Sequence, residues 1–226
     1  MHNTQSIIQD FDWDVLVEKL KIPAAKSSKF VAKCALVLGD GAFFHSDKRL
    51  LKDHFKDYLA KHFPYMLYAD GSLPDFLPLP DNERLSFVTK NSAFYQSQKV
   101  DDSLKKLAHI PFPVIINATS HLQINKAFAA IGIETQANVY NMSAKPEPVK
   151  PLQRDVPLLF NLIGTIEDHN SLVLSNANLF QYFDAIFGER QLAEDFRDIL
   201  RGIEYFVFLG VPFDKWYFYL DRKSVV

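Results

Sequence analysis

Lys33-Cys34-Ala35-Leu36-Val37-Leu38-Gly39-Asp40-Gly41-Ala42-Phe43 is the stretch whose reading decides the fold. Residues 35–38 are a short apolar run, as expected of a strand buried on both faces. Two glycines one residue apart follow it, and residues 47–62 then read as a helix. Strand, glycine turn and helix form the opening unit of a doubly wound α/β domain. Such glycines let the backbone approach a phosphate, and the next helix N-terminus supplies N–H donors and positive dipole. Two readings stay open for the turn itself. Gly39-Asp40-Gly41 lacks the third glycine of the dinucleotide fingerprint, and Asp40 puts negative charge where a pyrophosphate would sit. The alternative is a tight strand-to-helix turn that binds nothing.

Outward from this unit, four more apolar runs predict strands at residues 113–117, 135–142, 158–163 and 205–209. Helical spacing predicts helices at 122–131, 177–187 and 193–201 between and after them. In the 47–62 helix, Leu50, Leu51, Phe55, Tyr58 and Leu59 share one face. A short amphipathic helix at 11–20 carries Trp13, Leu16, Val17 and Leu20, within a lead-in of residues 1–29. Residues 64–82 are broken by Pro64, Gly71, Pro74, Pro78 and Pro80 and read as a long loop or insertion near the pocket. Residues 83–107 read as helix in two pieces, the second over 100–107. Residues 143–155 read as an exposed loop, 172–174 as a brief extended piece, and 214–220 as the start of a final helix. Strands alternating with helices predict α/β architecture: a Rossmann-like parallel sheet flanked by helices, with a proline-rich insertion, in one domain spanning 1–226. In such sheets ligands sit at the carboxyl ends of the strands.

Composition narrows the function classes. The chain has 226 residues, 48% hydrophobic, enough for a sizeable core. Net charge is -2 and the 25 Lys and Arg are scattered, so no footprint for nucleic acid is expected. No apolar run approaches a membrane span, and the polar N-terminus does not read as a signal peptide. A cytoplasmic location is the expectation. The one cysteine, Cys34, falls inside the first strand and reads as a buried, inert thiol. His54 and His62 lie eight apart on one helix, but no third ligand at useful spacing joins them, so no metal site is expected. No Gly-x-Ser-x-Gly elbow or phosphate-loop lysine is present. Trp216, Tyr217, Phe218 and Tyr219 form an aromatic cluster that fits either core or an interaction surface.

Four loops carry a resemblance. They are Leu38-Gly39-Asp40-Gly41-Ala42, Asn117-Ala118-Thr119-Ser120-His121-Leu122, Asn161-Leu162-Ile163-Gly164-Thr165-Ile166-Glu167-Asp168 with the following Ser171-Leu172-Val173-Leu174, and Phe208-Leu209-Gly210-Val211-Pro212-Phe213-Asp214. In order and spacing, residues 30–220 resemble the sirtuin-like family, in the divergent form found as a domain in bacterial anti-phage defence proteins. The resemblance implies an NAD or ADP-ribose type ligand. Gly39, Asp40, Gly41 and Ala42 would line its phosphates, Thr119 would face the ribose, and Gly210 with Asp214 would lie near the adenosine end. Gly164 belongs to the third motif.

The departures from that family bear on activity. The histidine that acts as a base on the ribose sits just before the glycine of the third motif, and here that place is Ile163. The asparagine of the second motif aligns with Thr119, and the aspartate two residues on becomes His121. Losing general acid–base catalysis is typically worth ~10²–10⁴-fold. The resemblance therefore implies a catalytically inactive nucleotide-binding module, a pseudoenzyme in a larger defence protein. An alternative is an active NAD hydrolase using His121, with Thr119, Asp168 or His169 in support. Another is a scaffold that binds nothing, with His121 only capping its helix. Partners would be the nucleotide, a second copy of the chain, or further domains. The abrupt stop after residues 221–226 reads as a domain cut from a longer chain or a natural truncation.

Overall fold

Five short strands, β1 (Cys34–Leu38), β2 (Val114–Asn117), β3 (Gln136–Val139), β4 (Leu158–Asn161) and β5 (Tyr205–Leu209), form one sheet in the order β3-β4-β2-β1-β5. Every pairing is parallel. The structure is a computed structural model and describes residues 18, 20, 31–63, 81–168, 170–173 and 176–213. Six helices are described: α1 (Leu51–His62), α2 (Asp81–Ser97), α3 (Asp102–Ala108), α4 (Gln123–Ala130), α5 (Asn176–Phe187) and α6 (Glu194–Gly202). The architecture is the expected Rossmann-like α/β sheet with helices on both faces.

The period-two alternation of the strands sorts the core into two layers. Cys34, Leu36, Leu38, Ile115 and Leu159 point into one, where Leu51, Leu59, Phe87, Leu104 and Ile124 bring α1 to α4 against the sheet. Ala35, Val114, Ile116, Leu158 and Phe160 point into the other, under Leu179, Tyr182 and Phe196 of α5 and α6. Phe160 and Phe196 stack there with ring centroids 3.7 Å apart. The central strands β1, β2 and β4 need apolar residues on both faces, so they read as unbroken apolar runs. Cys34 is fully buried, and burial pushes its thiol up to about 11, which suits an inert core residue.

Three segments differ from the sequence reading. The first helix begins at Leu51 rather than residue 47. Phe44 and Leu50 form an antiparallel bridge around a tight loop in which Lys48 has φ +69, a left-handed conformation incompatible with helix. β4 ends at Asn161, and Leu162 and Ile163 turn away toward Gly164, which has φ +77. β3 is trimmed to four residues. The two-piece helix over 83–107 appears as α2 and α3; Asp101 caps α3 by accepting the Ser103 N–H at 2.8 Å. Residues 64–80 of the proline-rich segment, the final helix with its aromatic cluster, and most of the lead-in lie outside the described residues. Of that lead-in, Glu18 and Leu20 are helical, and Leu20 is buried in the core as its predicted face requires. Among the described residues no helix is long and apolar enough to cross a membrane.

Candidate functional site

The carboxyl ends of β1 and β5 meet backbone to backbone. The Gly39 N–H donates to Leu209 O at 2.9 Å and the Gly41 N–H to Gly210 O at 2.9 Å. Residues Asp40–Ala42 make one 3-10 turn, which the Ala42 N–H closes onto Gly39 O at 3.0 Å. The contact leaves no room for side chains. A Cβ on Gly39 would lie 2.5 Å from Gly210 O, and one on Gly210 would overlap Ala42 N and Gly41 C. Gly210 also has φ +67. The loop glycines are therefore required by the crossing itself, and two of their N–H groups already donate to β5. Asp214 lies outside the described residues; Val211 to Phe213 continue from Gly210 along the surface.

Beneath this crossing lies a buried polar network. Asn117 and Asn161 end β2 and β4 in register, and the Asn117 amide donates to Asn161 Oδ1 at 3.0 Å. The same amide reaches Thr119 O at 3.2 Å and His121 O at 3.1 Å, so it shapes the β2–α4 loop. Three acceptors around the Nδ2 fix the orientation of the Asn117 side chain. Its Oδ1 then accepts the Thr119 hydroxyl at 2.8 Å. That hydroxyl has one hydrogen, so toward His121 Nδ1, 3.3 Å away, it acts as acceptor. Asn117, Thr119, His121 and Asn161 are each no more than 2% exposed.

His121 sits between rings, 4.3 Å from Phe43 edge-on and 4.7 Å from Tyr95. Tyr95 is held in turn because its carbonyl accepts from Gln123 Nε2 at 2.8 Å and Lys126 Nζ at 3.0 Å. Burial drives the His121 pKa down to about 3, so the ring is neutral near pH 7. Its Nε2 lies 3.9 Å from Asp40 Oδ1, too far for a hydrogen bond. Partial burial, which strips water from the charged form, raises the Asp40 carboxyl to about 6, against the pull of Lys52 and Lys56. Because 48% of its side-chain surface meets solvent, Asp40 titrates rather than staying locked neutral.

The third loop folds on itself. A Cβ on Gly164 would overlap Ser171 O, and the Thr165 N–H donates to Ser171 Oγ at 3.0 Å. The Ser171 hydroxyl donates to Asp168 O at 2.8 Å. Gly164 and Ser171, seven residues apart, are thus one unit, and the Ile166 N–H ties it to the β2 loop through Ser120 O at 2.9 Å. Asp168 accepts from Asn141 Nδ2 at 2.8 Å. Ile163 is half-buried against the α5–α6 layer. His169 lies outside the described residues.

The structure therefore brings Gly39, Asp40, Gly41, Ala42, Gly210, Thr119 and His121 to one edge, with Gly164 joined through its loop. Sequence reasoning missed Asn117 and Asn161, although an asparagine closing each of two apolar runs was a visible signal. Among the described residues, a cleft of about 620 Å³ lies elsewhere, between the loop after β3 (Met142, Ser143) and α5 with its following turn (Asp184, Arg190). It holds none of the residues the motifs single out, which gather instead at the strand ends. No protein-family model matches the chain, and no curated protein sequence matches it.

Proposed function

We propose that the chain is a sirtuin-like nucleotide-binding module, taking an NAD or ADP-ribose type ligand at the carboxyl edge of the sheet without turning it over. The observation that carries this reading is the convergence of the loops after β1, β2 and β5 at the edge where parallel α/β sheets receive ligands. The Asp40–Ala42 turn lies at that edge, and Asp40 is its solvent-reached carboxylate. Lack of turnover is supported by three side chains. Ile163 has no proton to exchange, the Thr119 hydroxyl is committed to Asn117, and His121 is buried with a pKa near 3, far from the neutral value a general base needs. The module would serve a larger cytoplasmic defence protein, paired with a second copy of the chain or with further domains.

A specific observation favours a second reading, the non-binding scaffold. The Gly39 and Gly41 N–H groups, which a phosphate would seek, already donate to Leu209 and Gly210. Calorimetric titration of the full chain with NAD, and separately with ADP-ribose, divides the readings. A saturable isotherm that returns to baseline after each injection is the expected result. A flat trace with both ligands would leave the scaffold. Heat that persists in proportion to enzyme would mean NAD hydrolysis and overturn the inactive site.

A further inference from the structure

The loop that delays α1 gathers three metal-ligating side chains. His45-Ser46-Asp47-Lys48-Arg49 closes on itself through the His45 N–H to Arg49 O at 2.9 Å and the Lys48 N–H to His45 O at 2.9 Å. The Asp47 carboxylate is fixed by the Arg49 N–H, 3.0 Å from Oδ1. His54 stands in the first turn of α1, where side chains lean back toward the helix N-terminus and hence onto this loop. The result is a triad. His54 Nε2 is 2.9 and 3.0 Å from the two Asp47 oxygens, and His45 Nδ1 is 3.2 Å from Asp47 Oδ1. One donor atom from each residue falls within 4.8 Å of the others.

We propose that His45, Asp47 and His54 form a binding site for a divalent first-row transition ion of the zinc class, with solvent completing its coordination. Donor atoms about 2.0–2.2 Å from zinc are separated from one another by about 2.8–3.6 Å, for right-angled to tetrahedral arrangements. The oxygen–nitrogen separations of the triad match that edge length. Two imidazoles and one carboxylate are a donor set that suits zinc or iron(II) with open positions. Both cations of the loop are turned to other carboxylates: Arg49 Nη2 lies 2.9 Å from Asp57, and Lys48 Nζ 3.0 Å from Asp101. All three residues reach solvent, Asp47 most, so an ion has access. The site joins the loop after β1 to α1 and is separate from His121 and the glycine crossing.

The competing arrangement is a carboxylate that simply accepts hydrogen bonds from both rings, with no ion. Zinc titration of the full chain against a chromophoric chelator separates the two. The expected result is one zinc bound per chain, with affinity at least ~10-fold lower in His45→Ala, Asp47→Asn or His54→Ala and unchanged in His62→Ala. Nitrogen NMR of the unsubstituted protein, labelled at histidine, reads the same site without any variant: zinc should move His45 Nδ1 and His54 Nε2 together. No saturable binding, binding indifferent to the three substitutions, or shifts confined to other histidines would each overturn the proposal.

Discussion

Three glycine-to-alanine substitutions separate two physical costs that usually travel together. Gly132 has φ +73 and no heavy atom within 4 Å of a built Cβ, so Gly132→Ala meets dihedral strain alone. That strain is ~1–2 kcal/mol for a left-handed residue. Gly39 has φ -109 and ψ 176, ordinary extended backbone, so Gly39→Ala meets only steric overlap with the Gly210–Val211 backbone, 2.5 Å from Gly210 O and 2.7 Å from Val211 Cα. Forcing that contact apart costs ~1–3 kcal/mol by the usual range for overpacking. Gly210→Ala meets both, and opening the crossing would also loosen the hydrogen bonds from Gly39 and Gly41, each worth ~1 kcal/mol net. Its loss should be about 3–5 kcal/mol, a large part of the stability of a domain this size. Urea unfolding at pH 7.5, analysed with a common slope, gives all three differences. If Gly210→Ala costs no more than Gly132→Ala, the loops after β1 and β5 do not touch as described, and the account of the candidate site falls with them.

Three further substitutions probe the buried network and the carboxylate beside it. His121 has its pKa lowered from 6.5 to about 3, so the stability it brings is present above about pH 6.5 and lost as pH falls toward 3, on the order of 4 kcal/mol in all. In His121→Phe the urea midpoint should depend less on pH across that window, and an unchanged dependence would rule out a buried neutral ring. Asp40 has the opposite sign: its raised pKa makes the ionised form a cost that builds as pH rises from 3.8 to about 6, so Asp40→Asn should stabilise at pH 7.5, by under ~1 kcal/mol given its exposure. Asn117→Ala removes the partner of the Thr119 hydroxyl and of Asn161 at once and should cost ~2–4 kcal/mol. A loss below ~1 kcal/mol in urea unfolding would mean the network is not satisfied as drawn.

The sheet was legible because burial on both faces leaves a plain mark. Cys34–Leu38, Val114–Asn117 and Leu158–Asn161 are apolar runs because neighbouring strands and helices leave no side of them for water. The edge strand β3 is half-exposed, so its pattern is weak and its ends were drawn too long. The start of α1 was misplaced because a left-handed Lys48 breaks the pattern, and lysine gives no hint of that conformation. At the candidate site the sequence marked the glycines but not their use. Whether a glycine faces a ligand or another backbone depends on which strand lies beside it, and β1 lies next to β5, about 170 residues on. The His45–Asp47–His54 cluster is not visible in sequence for a related reason: helical spacing pairs His54 with His62, whereas its neighbours in space arrive from the preceding loop.

The Asn117–Asn161 pair also governs how the chain can go wrong. Val114, Ile115 and Ile116 against Leu158, Leu159 and Phe160 are greasy ribbons that would pair almost as well if one slid along the other. A slide of one residue would turn each side chain to the opposite layer, and a slide of two would keep the layers but strand an amide among aliphatic carbons. The asparagines act as a notch and a pin: only one alignment lets each find its mate. Replacing both by leucine at once should therefore leave a sheet that is less singular, prone to frame-shifted and kinetically trapped copies of itself, besides the cost of the Thr119 hydroxyl and loop carbonyls left without Asn117.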